Sequence, residues 1–162
     1  LRPGLVLQCA KGNVNWLMMV VHLKSTSRAD STDALRDESR IIRGKQAAML
    51  RSWCDSIIKS TPEKDVILVG DFNDYTGRKG NLATLTPLIN SSEMQFLTGS
   101  LRSCKNPNWY GIDHVVASHT MRDRMVPSSE RVDDARSYLN GQEADAVSDH
   151  CPVTVRFVTR TP

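Results

Sequence analysis

The stretch VILVGDFND, residues 66–74, constrains the fold more than any other part of the sequence. Four apolar residues, Val66 to Val69, run without a polar break into Gly70, and Asp71, Asn73 and Asp74 follow at once. A short unbroken apolar run of this kind reads as a strand buried on both faces, so the sheet needs a layer on each side. The oxygens at its end lie where α/β folds place their sites, on loops at strand termini. In an extended chain Asp71 and Asn73 project to the same side. A carboxylate and an amide oxygen facing one way suit a hard cation or a phosphate-bound water. The same run also has the composition of a plain Asx turn.

The rest of the chain supplies the layers. Leu5–Ala10 and Trp16–Leu23 read as strands, and Lys11-Gly12-Asn13 between them predicts a hairpin ending at His22. A helix is expected over Glu38–Ser60, with Ile42, Met49, Trp53 and Ile57 on one face and Thr61-Pro62 as its stop. Asn81–Ile89 predicts a short helix interrupted by Pro87. Ile112–Ser118 reads as a strand carrying Asp113, residues 119–146 as polar loop, and Val153–Val158 as the closing strand. The order β-β-α-β-(α)-β-β predicts one α/β domain over residues 1–162, a mixed β-sheet with flanking helices. No GxGxxG, GxxxxGK[ST] or GxSxG motif is present, which argues against dinucleotide-binding and nucleophile-elbow chemistry.

Polar residues recur at the strand ends: His22, then Asp71 with Asn73, then Asp113, then Asp149 with His150. Adjacent residues point oppositely in a strand, so Asp149 and His150 share a site only from the turn before it, which Ser148 and Pro152 favour. Charge adds one more hint. Residues 22–51 hold seven Lys or Arg against four acids, a surface for a polyanion or simply a solvated helix face with ion pairs. No apolar run approaches the roughly 20 residues of a bilayer span. The four cysteines lack zinc-site spacing; Cys54 and Cys151 read as small buried hydrophobes, with a disulfide expected only in a secreted setting. Bacterial cytoplasmic and secreted locations both stay open.

Taken together, His22 in VVHLKS, Asp71 and Asn73 in VGDFND, Asp113 in GIDHVVAS, and Asp149 with His150 in SDHCPV resemble the endonuclease/exonuclease/phosphatase superfamily, which includes deoxyribonuclease I-like and exonuclease III-like enzymes. The match runs from about Leu5 to Phe157. It implies the C-terminal portion of that α/β sandwich and Mg²⁺- or Mn²⁺-dependent cleavage of a phosphodiester. By resemblance, Asp71 would position or deprotonate the attacking water and share the metal with Asp149. Asn73 would hold a phosphate oxygen, His150 would bond the scissile phosphate, Asp113 would fix its tautomer, and His22 would face the leaving group. Arg28, Arg40 and Arg43 would contact the backbone of a DNA or RNA substrate.

The resemblance also implies a truncated domain. Family members are longer and carry an Asn and a metal-ligating Glu before the region matched here; Glu38, Glu63, Glu93, Glu130 and Glu143 all fall in other settings. A chain starting at Leu1 is expected to be a processed or partial product, leaving an apolar sheet face for a second copy or another partner. A DNA nuclease of low sequence specificity is the first expectation. Alternatives are a phosphoinositide phosphatase or sphingomyelinase-type enzyme, for which Trp109-Tyr110 is the candidate exposed aromatic loop, and an inactive fragment that binds phosphate or nucleic acid.

Overall fold

A computed structural model describes residues 3–27, 29–134 and 139–160. Strands β1 (Leu5–Lys11) and β2 (Val14–His22) form the expected hairpin. Its turn depends on Gly12, at φ 64°, where a Cβ would come within 2.1 Å of the Thr159 carbonyl oxygen. Helix α1 (Asp33–Ser60) then carries the chain across to β3 (Val66–Asp71), which lies parallel to β2 as only a long crossover allows. Next come a 3₁₀ turn (Gly80–Leu82), α2 (Thr86–Ile89), β4 (Met94–Phe96), β5 (Asp113–Ser118) and α3 (His119–Arg122). The last elements are β6 (Arg131–Val132), α4 (Gly141–Val147) and β7 (Val153–Thr154). The main sheet has the order β1-β2-β3-β5-β4, with β5 antiparallel to both of its neighbours; β6 and β7 pair separately.

The unbroken apolar run of β3 has the role its composition implies. Val66 and Leu68 enter one core with Met19, Val21, Leu50, Cys54 and Leu88, beneath α1 and α2. Ile67 and Val69 enter a second core with Val115, Ala117 and Met121, and Val153, Val155 and Phe157 pack against it. Burial on both faces holds β3 in place, a firm base for whatever stands at its end. At the far edge β1 leaves Leu5, Val6 and Leu7 exposed, an apolar strip along the hairpin.

Several expectations are corrected. Helix α1 begins at Asp33 rather than Glu38, because Thr32 caps the Leu35 N–H (3.3 Å) and the Arg36–Asp33 and Arg40–Asp37 pairs hold a first stretch without apolar periodicity. Its buried face runs through Ser39, Arg43, Ala47, Leu50 and Cys54, while Met49 is 72% exposed. The stripe is rotated because two of its members are polar and hydrogen-bonded, which hydrophobicity alone does not reveal. The region 119–146, expected as loop, contains α3, β6 and α4, the last closed by an Asn140–Glu143 capping box. Strand β4, only three residues long, went unforeseen. The closing strand is regular only at Val153–Thr154; beyond it the chain pairs with residues 124–126 through Val126 N–H to Arg156 O and Val158 N–H to Arg124 O (both 2.8 Å).

Candidate active site

The register of three neighbouring strands builds the site. His22 on β2 pairs with Asp71 on β3, and Asp71 pairs with Asp113 on β5, so three polar side chains stand in one row across the sheet. Gly70 permits this. It lies at φ 132°, and a Cβ there would come 2.0 Å from the Val21 carbonyl oxygen, so any other residue would push β2 and β3 apart one step before the row.

After Asp71 the chain leaves the sheet. Asn73 takes the left-handed conformation (φ 53°), which Asn tolerates better than most residues. Its N–H donates to Asp71 Oδ1 (2.7 Å), and its Nδ2 donates to Asp71 Oδ2 (2.6 Å) and to the Leu23 carbonyl (3.1 Å). The side chains therefore converge through a tight turn, not by alternation along an extended strand as the spacing implied. The Asx turn and the polar cluster are one object.

His150 arrives from the turn before β7, braced by its N–H to Ser148 Oγ (3.0 Å). Its Nδ1–H donates to Asp113 Oδ2 (2.8 Å). That directs Nε2 inward, 3.9 Å from Asp71 Oδ2 and 4.0 Å from Asp149 Oδ1. His22 Nε2 lies 3.5 Å from the same Asp71 oxygen. Burial pushes the Asp113 carboxyl upward in pKa, opposed by the His150 hydrogen bond. Partial burial works against the charged imidazolium of His150, but the Asp113 bond and the charges of Asp113, Asp71 and Asp149 outweigh it, so its pKa is raised.

Ligand atoms of Asp71, Asp113 and His150 lie within 4.8 Å of one another. Asp113 is engaged by the imidazole, whereas the Asp149 side chain is 80% exposed. Asp71 and Asp149 present carboxylate oxygens near His150 Nε2, at 3.9 and 4.0 Å, and carboxylate oxygens are the donor type a hard divalent cation takes. A second grouping, Cys104, Asp134 and Cys151, is no thiolate site, because both sulfurs are joined to each other.

That disulfide corrects the reading of Cys151 as a buried hydrophobe. Spacing could not reveal a pair separated by 47 residues. Cys54 is fully buried as expected, and burial pushes its thiol up to about 12. The basic stretch resolves largely into ion pairs: Arg40 with Asp37, Arg36 with Asp33, Arg51 with Asp55, Lys24 with Asp30. Arg43, expected to meet substrate, is instead 3% exposed. Its Nε donates to Thr84 Oγ1 (3.0 Å) and its Nη1 to the Lys24 carbonyl (2.6 Å), which locks it under the chain that leaves β2. Arg28 lies outside the described residues.

Two features beside the row escaped the sequence. Asp74 is fully buried, accepting from Tyr75 N–H (3.0 Å), Arg78 Nε, Thr84 N–H (3.3 Å) and Thr84 Oγ1 (2.6 Å). The segment 101–111 forms a hairpin through Ser103 N–H to Trp109 O and Gly111 N–H to Leu101 O (both 2.9 Å), and Cys104 ties it to the residue after His150. Asn106-Pro107-Asn108, a turn immediately upstream of Asp113, was the one signal that this loop would reach the site.

No family model matches this chain, and no curated protein matches it. Solved structures do. Truncated TDP2 from Caenorhabditis elegans is 18% identical with a TM-score of 0.59, over 91% of this chain and 56% of that one. The 3′ phosphatase NExo from Neisseria, bound to a product DNA hairpin, is 14% identical with a TM-score of 0.61, over 94% and 64%. An endonuclease/exonuclease/phosphatase family protein from Bacteroides thetaiotaomicron is 15% identical with a TM-score of 0.52, over 87% and 48%. These likenesses show the fold, that of the endonuclease/exonuclease/phosphatase type, and the chain spans 48% to 64% of the length of these structures.

Proposed function

We propose that this chain carries the site of a divalent-metal-dependent phosphodiesterase acting on DNA with little sequence preference. The carrying observation is the His22–Asp71–Asp113 row with His150 held against Asp113 at 2.8 Å. Because Nδ1 is bound to Asp113, His150 presents Nε2 to the space beside Asp71 and Asp149, where a charged imidazole donates to a phosphate oxygen. Asp71, oriented by both Asn73 donors, accepts from and orients the attacking water. The Asn73 amide protons go to Asp71 Oδ2 and the Leu23 carbonyl, so Asn73 serves the reaction by holding Asp71 in place, and His22 stands on the leaving-group side. Asp71 and Asp149 would hold the cation, which supplies charge neutralisation to the phosphoryl oxygens when bound. Arg40, partly exposed beside Asp37, is the remaining candidate backbone contact. The 3′ phosphatase of the same fold, bound to a DNA hairpin, supports a nucleic-acid substrate.

A second reading, a lipid phosphodiesterase or phosphatase, rests on Trp109, 61% exposed near the site. Supercoiled plasmid incubated with the purified chain tests the first. Nicking is expected with Mg²⁺ or Mn²⁺, none with EDTA, and a loss of roughly 10²- to 10⁴-fold in His150→Ala, the usual cost of removing a positioned proton-bearing group. Nicking that survives His150→Ala unchanged, or no nicking at all, rejects this reading.

A further inference from the structure

A cleft of about 280 Å³ lies between the 101–111 hairpin and the turn carrying His150. Asp113, Asp149 and His150 form one wall; Arg102, Lys105 and Trp109 belong to the other. The hairpin is held rigidly. Its backbone bonds close it, and the Cys104–Cys151 disulfide anchors it beside His150. On one side a stack four layers deep supports it. Arg102 lies 3.7 Å over the Tyr110 ring, Tyr110 stacks on Tyr75 (5.3 Å, 9° between planes), and Arg78 lies 4.5 Å over Tyr75. Tyr110 is thus engaged on both faces. The next ring, Trp109, is 61% exposed, and among the described residues it has no ring or guanidinium contact.

We propose that Trp109 is a stacking platform for one unpaired nucleobase, with Arg102 and Lys105 meeting the flanking phosphate, so that the adjoining phosphodiester is delivered to His150. The substrate class is single-stranded or frayed nucleic acid. This deepens the phosphodiesterase reading and rests on it for the cleavage step, though not for binding. Three observations carry it. The cleft, at about 280 Å³, lies just under the roughly 300 Å³ at which small-ligand sites start, a size suited to a single base beside His150. An aromatic face beside cations is the composition that binds single strands without sequence preference. Around Trp109 the loop reads Lys105-Asn106-Pro107-Asn108, and the adjacent Tyr110 has its ring engaged by Arg102 and Tyr75, whereas insertion into a lipid surface needs a contiguous apolar face.

The test is equilibrium binding of the full chain to a labelled oligothymidylate in EDTA, where no cleavage occurs. A same-length oligomer of abasic sugar-phosphate units and phosphatidylserine vesicles run in parallel. Trp109→Ala is expected to weaken oligothymidylate binding about tenfold, the usual loss for one stacked base, while leaving abasic binding unchanged. Trp109→Phe is expected to restore most of it, which separates stacking from misfolding. Unchanged oligothymidylate affinity in Trp109→Ala overturns the proposal. So does an equal loss on the abasic oligomer, an absence of oligothymidylate binding in the parent chain, or a loss confined to vesicles, which marks a lipid surface. The two readings fail separately: absent plasmid nicking with the expected Trp109 pattern rejects the catalytic reading and keeps the platform. Normal nicking without that pattern does the reverse.

Discussion

Asp71 and Asp74 stand on the same turn, within one short stretch of sequence, and the protein uses them in opposite ways. Asp74 is wholly buried, and its oxygens accept from Tyr75, Arg78 and Thr84; Thr84 in turn accepts from Arg43. Asp71 accepts from its own turn through Asn73, and its Oδ2 also faces His22 at 3.5 Å and His150 at 3.9 Å. The two regions pair an acid with a histidine in different surroundings. His150, half-open and bonded to a carboxylate, is pushed toward the charged form. His114 is buried in T-shaped contact with Phe72 and Phe96, and burial lowers its pKa to about 4. Its Nε2–H donates to the Asp74 carbonyl (3.0 Å), a neutral acceptor that does little for a charge. One region is saturated with internal partners and fixes the turn; the other is left with unspent hydrogen-bonding capacity at a fixed place. A site needs both.

The largest effect should come from breaking the saturated region. Asp74→Ala leaves Arg78, Thr84 and Arg43 without their central acceptor, and removing one partner of a buried ionic network costs on the order of 3–5 kcal/mol. Urea unfolding should show that loss, with activity falling only as the folded fraction falls. A change below about 1 kcal/mol would mean the network contributes little beyond what water supplies.

The next effect follows from His114 and has a definite sign. Its folded pKa of about 4 lies below the ordinary histidine value of 6.5, so between those pH values the unfolded chain binds a proton that the folded chain refuses. Stability is then full above the unfolded pKa and falls as pH drops through this window, by on the order of 3 kcal/mol. Thermal melts from pH 7 to pH 4 should record this slope. His114→Phe, which keeps a ring between Phe72 and Phe96, should flatten it; an identical slope in the variant would assign the acid sensitivity to other groups.

Much of this contrast could not be read from the chain alone, for identifiable reasons. Strand ends were legible because apolar runs stop at His22 and before Asp71 and another starts just after Asp113, and a three-strand register turns those ends into one row. Buried polar residues were illegible. Arg43 looked like a surface cation, and the face of α1 was misplaced toward Met49, because burial of Ser39 and Arg43 depends on partners far away in sequence, Thr84 among them. The Cys104–Cys151 bond and the Tyr75–Tyr110 stack are likewise long-range events, and nothing local announces them. Asp74 shows the limit most clearly: adjacent to Asn73 and identical in type to Asp71, it differs only in which way the turn points it.

Asp71→Asn sharpens the comparison with the smallest expected change in stability. The new side chain keeps an oxygen for the Asn73 N–H, the contact that closes the turn. Its amide nitrogen replaces the oxygen that accepted from Asn73 Nδ2, and Asn73 answers by rotating its carboxamide, giving up its bond to the Leu23 carbonyl. The net structural cost is one partly exposed hydrogen bond, about 1 kcal/mol or less. The same substitution removes the negative charge facing His22 and His150 and the acceptor for the attacking water, so nicking should fall by roughly 10²-fold or more. Paired urea melts and plasmid assays on Asp71→Asn and Asp74→Ala should therefore give mirror-image results, one losing activity at near-parent stability and the other losing stability first. If Asp71→Asn unfolds the chain as readily as Asp74→Ala, Asp71 is a second structural acid of the turn, and the division between the two regions fails.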